Sequence, residues 1–201
     1  MRGLYLVTPN WNDTDRLLDI THQALRAGAR LVQYRHKDAS SALRIEQAHA
    51  LLALCRQHGR PLVINDHLDL CMAIDADGIH VGGTDASVAE VRAALGPDRI
   101  VGASCYGEFA LAQSAQIAGA SYVAFGGFYP STVKKYAVTT PHDIVTRAKA
   151  ALSVPVVVIG GMTPDNARPL AALGADMVAA ISSVYLAPDP YGAARAFAGM
   201  F

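Results

Sequence analysis

The chain has 201 residues, 52% of them hydrophobic and 17% charged, with 17 basic side chains balanced by 17 acidic ones. That length carries one well-buried core, and no Pro/Gly/Ser-rich linker or charge block divides it, so one domain over residues 1–201 is expected. The balanced charge, with no Lys/Arg cluster, excludes the usual electrostatic footprint of a nucleic-acid or membrane-surface binder.

The first predicted strand is Leu4–Val7, followed by a stretch of helical period marked by Leu17, Ile20, Ala24 and Leu25. The opening residues reach Asn10 and Asp13 too soon for a secretory signal, and no apolar run approaches the ~18 residues of a membrane span, so a cytoplasmic protein without membrane partners is expected. The second strand, Leu31–Gln33, runs into Tyr34-Arg35-His36-Lys37. Alternate residues of an extended chain share a side, so Gln33, Arg35 and Lys37 would present polar and cationic donors together, a set suited to a di- or triphosphate. A solvated charged loop is the plainer alternative.

The third strand, Leu62–Ile64, ends in Asn65-Asp66, and the fourth, Gly78–Val81, is followed by Gly82, Gly83 and Asp85. Carboxylates from neighbouring strand ends, Asp66 and Asp85, would hold Mg2+ together with phosphate oxygens and water. Each taken alone reads equally well as a helix cap, since helical stretches follow both, the second marked by Val88, Val91, Ala94 and Leu95. His80, inside the fourth strand, is expected to be satisfied by a neighbouring backbone group and to have no catalytic role.

The fifth and sixth strands are Ile100–Ala103 and Tyr122–Phe125. After the sixth comes a glycine-permitted segment with hydroxyls and two lysines, Gly126 to Lys135, which reads as a lid carrying a cation, or else as an ordinary surface loop. The seventh, Val156–Ile159, leads to Gly160-Gly161, and the eighth, Met177–Ile181, to Ser182-Ser183. Small residues there let backbone N–H groups approach a phosphate, the usual anion site of a barrel of eight βα units.

Eight strand–helix units in this length leave about 25 residues each, enough for a short strand, a helix and two loops. The expected fold is therefore a single-domain α/β (β/α)8 TIM barrel, with a doubly wound open sheet as the rival. Gly28, Gly119 and Gly174 each stand just before a strand, where glycine ends a helix in a left-handed turn. Cys55, Cys71 and Cys105 lack disulfide or zinc-ligand spacing and are expected to be reduced packing residues. The residues alone thus indicate two anionic subsites, one at Gly161 and Ser182 and the other at Arg35, Lys37 and a metal on Asp66 and Asp85.

The motifs LYLVTP, QYRHK, INDHLDL, DGIHVGGTD, VGASCY, FGGFYPSTVKK, VIGGM and AAISS, in this order from Leu4 to Ser183, resemble the thiamine-phosphate synthase family. The resemblance implies a transferase that condenses a hydroxymethylpyrimidine diphosphate with a thiazole phosphate, giving thiamine phosphate and pyrophosphate. It further implies that Gln33, Arg35, Lys37, Asn65, Ser104 and Lys134 hold the pyrimidine diphosphate, that Asp66 and Asp85 bind Mg2+, and that Ser131, Gly161, Ile181 and Ser182 hold the thiazole phosphate. Arg35, Lys37 and Lys134 would then stabilise the departing diphosphate in a dissociative mechanism.

Three positions depart from the family pattern: Gly83 where Gln is usual, Gly127 where Pro is usual, and Val133 where a hydroxyl is usual. Gly127 would loosen the lid, and Val133 would remove a contact to the thiazole phosphate. An isomerase of the same fold acting on a thiazole tautomer, and a non-catalytic phosphate-binding barrel, are the competing functions; a homo-oligomer is compatible with these features.

Overall fold

Each predicted apolar run forms a strand in the computed structural model of the protein, which describes residues 1–82, 87–131 and 140–201. The strands are β1 (Gly3–Val7), β2 (Leu31–Tyr34), β3 (Leu62–Asn65), β4 (Gly78–Val81), β5 (Ile100–Tyr106), β6 (Tyr122–Phe125), β7 (Val156–Ile159) and β8 (Met177–Ala180). Between and after them run α1 (Thr14–Arg26), α2 (Ser41–Gln57), α3 (Leu68–Ala73), α4 (Val88–Leu95), α5 (Phe109–Ile117), α6 (Asp143–Ala151), α7 (Pro164–Ala172), α8 (Ser182–Tyr185) and α9 (Pro190–Ala198). All neighbouring strands are parallel, and β8 pairs with β1 from Gly3 opposite Met177 to Leu6 opposite Ala180, so the sheet closes into a (β/α)8 barrel and the open-sheet alternative is ruled out.

The two-residue period of a strand separates two cores. On β1, Leu4 and Leu6 face outward into the layer under the helices, where they join Leu17, Leu51 and Phe197. Tyr5 and Val7 face inward and pack with Leu31, Val63, Tyr122, Val157 and Met177, which fill the barrel. On α1, Leu17, Ile20, Ala24 and Leu25 are buried as their spacing predicts, with Thr21 added. On α4 the expectation holds only partly: Val91 is buried, Val88 and Leu95 are half-buried against the core, and Ala94 is exposed because this short helix offers the barrel a narrow stripe.

Two strand ends differ from the sequence reading in ways that shape the mouth. β5 continues to Tyr106 through a register shift between Ser104 and Tyr106, while Ser104 keeps the inward parity of Ile100 and Gly102. β8 stops at Ala180 because Ile181 already accepts helical bonds: Tyr185 N donates to Ile181 O at 2.9 Å, starting α8 directly off the strand. Gly28, Gly119 and Gly174 all take positive φ at the helix-to-strand turns, as expected. The three cysteines are free and buried, and burial pushes their thiols up to about 11 for Cys71 and about 12 for Cys55 and Cys105, away from any thiolate chemistry at neutral pH.

Candidate active site

Three compartments are lined by residues at the C-terminal strand ends and the segments that follow them. The first is a cavity of about 250 Å³ on the β5–β8 side, where Ser104, Ser131, Gly161, Ile181 and Ser182 are brought together with the aromatic walls Tyr106 and Tyr129. The second, about 220 Å³, lies beyond β2 and β3 and gathers Lys37, Asn65 and Asp66 with Tyr34, His36 and Arg44. A narrow interior pocket adjoining the first is lined by Gln33, Arg35, His80 and Ser104. Ser104 thus stands at the junction, lining both the interior pocket and the first cavity.

The expected row of Gln33, Arg35 and Lys37 is formed only in part. β2 ends at Tyr34, Arg35 still shares a pocket with Gln33, and Lys37 departs. Gln33 and Arg35 are buried, 4% and 9% exposed, and line the interior pocket, whereas Lys37 sits on a turn with its side chain 57% exposed. Lys37 instead meets Asp66: its ammonium lies 3.8 Å from Asp66 Oδ2, an oxygen that also accepts a hydrogen bond from Asn65 Nδ2.

Asp66 has φ of 64°, a left-handed conformation uncommon for a residue with a side chain, and its N–H donates to His80 O at 3.0 Å across to β4. The capping alternative for Asp66 does not hold, since His67 precedes α3 and makes no side-chain cap bond. The N-cap of α4 is Ser87, in a reciprocal capping box with Glu90. Asp85, Lys134, Gly83 and Val133 lie outside the described residues.

His80 corrects a sequence expectation. Both ring nitrogens meet side chains among the described residues: Nδ1 meets Tyr122 Oη at 2.9 Å and Nε2 meets Ser104 Oγ at 2.8 Å. Tyr122 Oη in turn lies 2.6 Å from Tyr5 Oη, which accepts from Gln33 Nε2. A continuous hydrogen-bond chain therefore crosses the barrel interior from Gln33 through Tyr5, Tyr122 and His80 to Ser104. Burial drives both tyrosine hydroxyls well above their ordinary titration, so the chain is neutral there and serves as a fixed set of donors and acceptors. Tyr5 and Tyr122 were missed by the sequence reading. The available signal was an aromatic hydroxyl at the inward parity of an otherwise aliphatic strand, which must find a partner when buried.

On the other side, Gly161 has φ of 60°, and a Cβ there would collide with Pro130 O; Asn166 Nδ2 donates to its carbonyl at 2.9 Å. The glycine is thus required by the close approach of the β6–α6 segment, a reason that adds to any approach of a ligand. Gly127, where Pro is usual in the family, has φ of 83°, which a proline ring fixed near −65° does not reach. Thr140 ties this segment from its far side, its N–H donating to Gly127 O at 3.4 Å and its hydroxyl to Gly126 O. Ser183 Oγ is buried without a partner among the described residues.

With this geometry in view, the comparisons are specific. The family model described as thiamine monophosphate synthase matches residues 4–184. A thiamine-phosphate synthase of Janthinobacterium sp. (strain Marseille) is 67% identical over 201 residues, covering 100% of this chain and 97% of the relative. One from Nitrosomonas eutropha is 47% identical over 199 residues, covering 99% and 94%. The solved thiamine phosphate pyrophosphorylase from Pyrococcus furiosus superposes with a TM-score of 0.86 at 28% identity over 98% of this chain and 94% of that one. The chain belongs to the thiamine monophosphate synthase family.

Proposed function

We propose that this transferase joins 4-amino-2-methyl-5-(diphosphooxymethyl)pyrimidine to a thiazole phosphate, forming thiamine phosphate and releasing pyrophosphate. The observation that carries the reading is the presence, at the strand ends, of a compartment built from charged side chains and of another built from small residues, the latter meeting at Ser104 an interior pocket that Gln33 and Arg35 line. Such a layout suits two separately anchored phosphorylated substrates whose reacting ends meet in between.

In this reading the diphosphate lies against Arg35, Lys37 and Asn65, with Lys134 as a further cation. The pyrimidine ring occupies the interior pocket, where Gln33 and Ser104 at the two ends of the buried chain offer fixed hydrogen-bonding groups to its ring edge. The thiazole phosphate is held by backbone N–H groups and hydroxyls at Ser131, Gly161, Ile181 and Ser182. The pyrimidine C–O bond breaks with its electron pair leaving on the diphosphate, and the thiazole nitrogen lone pair then forms the C–N bond. Arg35 and Lys37 stabilise the charge that collects on the leaving oxygens. No side-chain nucleophile is required, and the thiols are held neutral by burial.

The donor chemistry fits Mg2+: Asp66 offers a hard carboxylate oxygen beside the cationic compartment, and Asp85 would supply a second. Among the described residues no group of three His, Cys, Asp or Glu side chains could hold a metal, so the remaining positions would fall to diphosphate oxygens and water. When bound, the metal supplies charge neutralisation on the diphosphate. No helix among the described residues is long and apolar enough to cross a membrane, in keeping with the cytoplasmic location we infer.

Incubating the protein with both phosphorylated substrates and Mg2+ tests the assignment. Thiamine phosphate and pyrophosphate should appear in equal amounts. Conversion of the thiazole phosphate alone into an isomer, with no coupling, would replace this reading with an isomerase.

A further inference from the structure

Arg35 stays buried although the ladder of β2 ends one residue before it. Its two backbone polar groups are held by a single side chain: Thr8 Oγ1 accepts from Arg35 N at 2.8 Å and donates to Arg35 O at 3.1 Å. The Thr8 N–H itself donates to Gln33 O at 3.0 Å, so the side-chain bridge continues directly from the last backbone bond between β1 and β2. Two residues further on, Asn10 Oδ1 accepts from Lys37 N at 3.4 Å, and Asn10 Nδ2 donates to Asp38 Oδ2 at 2.6 Å. The end of β1 therefore acts as a template along which residues 35–38 are laid, with the fully buried Thr8 at its inner end and exposed Asn10 at its outer end.

A hydroxyl has one donor hydrogen and two lone pairs, so it can serve an N–H and a C=O of the same residue at once. Valine has the same shape and neither capacity, and it would remove both hydrogen bonds that Thr8 makes to the buried backbone of Arg35. We propose that Thr8 is a positioning residue for the reaction: its hydroxyl fixes the Arg35 backbone and so aims the guanidinium at the diphosphate, while Asn10 does the same more weakly for Lys37. The inference rests on the assignment of Arg35 to the diphosphate made above.

The test compares Thr8→Val, Thr8→Ser, Asn10→Ala and Arg35→Ala, each with its melting temperature, both Michaelis constants, and calorimetric binding of inorganic pyrophosphate. Thr8→Val should raise the KM for the pyrimidine diphosphate about tenfold and weaken pyrophosphate to a similar degree. The KM for the thiazole phosphate should stay within about twofold, a selectivity that a general loss of packing would not produce. Thr8→Ser should restore the diphosphate constants, and Asn10→Ala should show the same selectivity to a smaller extent.

Should Thr8→Val fail to fold, the serine variant and Asn10→Ala carry the comparison, and an Asn10→Ala effect equal for both substrates, or absent, overturns the inference. It is also overturned if Thr8→Val shifts both substrates alike, shifts neither, or is matched by Thr8→Ser. An impaired Arg35→Ala beside an unimpaired Thr8→Val sinks this inference alone. If Arg35→Ala leaves diphosphate and pyrophosphate binding unchanged, the Arg35 assignment falls and this inference with it.

Discussion

On the β2–β3 side of the mouth the polar groups ride on long side chains, Arg35, Lys37 and Asn65, one of them more than half exposed. On the β7–β8 side they are backbone N–H groups and short hydroxyls at Gly161, Ser182 and Ser183, and a Cβ at Gly161 would strike a neighbouring carbonyl. The difference follows what each half of the proposed reaction demands. A leaving diphosphate gains charge in the transition state, and cations placed where that charge collects lower the barrier. A phosphate that passes through the reaction unchanged needs only an anchor, which rigid backbone supplies at little entropic cost. The β2–β3 side should therefore be sensitive to charge and metal, and the β7–β8 side to shape.

Metal removal should break this comparison most sharply. Chelator-treated, desalted enzyme is expected to lose more than about 100-fold in turnover, since charge stabilisation by a metal is worth several kcal/mol. Added Mg2+ should restore it, while thiazole phosphate binding measured by calorimetry stays the same; full turnover without metal would remove Asp66 from the proposed role.

Arg35→Ala comes next. Hydrogen bonds to charged groups contribute about 1.5–3 kcal/mol, so kcat/KM for the pyrimidine diphosphate should fall about 10- to 150-fold. The thiazole KM is the control, and an equal rise there would mean that the two sides are not separate.

Ser104 sharpens the comparison because it lines both the interior pocket and the first cavity. Ser104→Ala should raise both Michaelis constants by about tenfold or less, through loss of a hydroxyl worth ~1 kcal/mol to either substrate and a partner lost by His80. A change confined to one substrate would assign Ser104 to that side.

Gly161→Ala should have the smallest kinetic effect and a visible structural one. Strain from a side chain at positive φ, together with the contact to Pro130, should destabilise the protein by about 1–3 kcal/mol, read as a melting temperature lower by several degrees. The thiazole KM should rise a few-fold and the diphosphate KM should not; an unchanged melting curve would mean that the β6–α6 segment yields more easily than its packing indicates.

The barrel was legible because its signal is periodic and local. Eight apolar runs and the helical spacing of Leu17, Ile20, Ala24 and Leu25 state the alternation of elements outright, and Gly28, Gly119 and Gly174 mark turns that any neighbouring fold would also require. Strand-end residues such as Asn65, Asp66, Gly161 and Ser182 could be picked out because a barrel puts all such ends at one mouth. The reading of Gln33, Arg35 and Lys37 as one row held for Gln33 and Arg35, which line one pocket, and failed at Lys37, where the chain has left the extended conformation for a turn.

The sequence by itself determined the number and order of the strands, a set of polar and small residues at their ends, and the family, all of which depend on local pattern or on motifs in a fixed order. Only the tertiary structure decided which of those residues share a compartment. Closure of β8 onto β1 places Tyr5 within 2.6 Å of Tyr122, 117 positions away, and thereby joins Gln33 to Ser104 through the barrel interior. The grip of Thr8 on Arg35 arises in the same way, from the register of β1 against β2. Hydrogen bonds between residues so far apart in the chain depend on how neighbouring strands align, and that alignment is set by packing of the whole barrel, which no local window of sequence encodes.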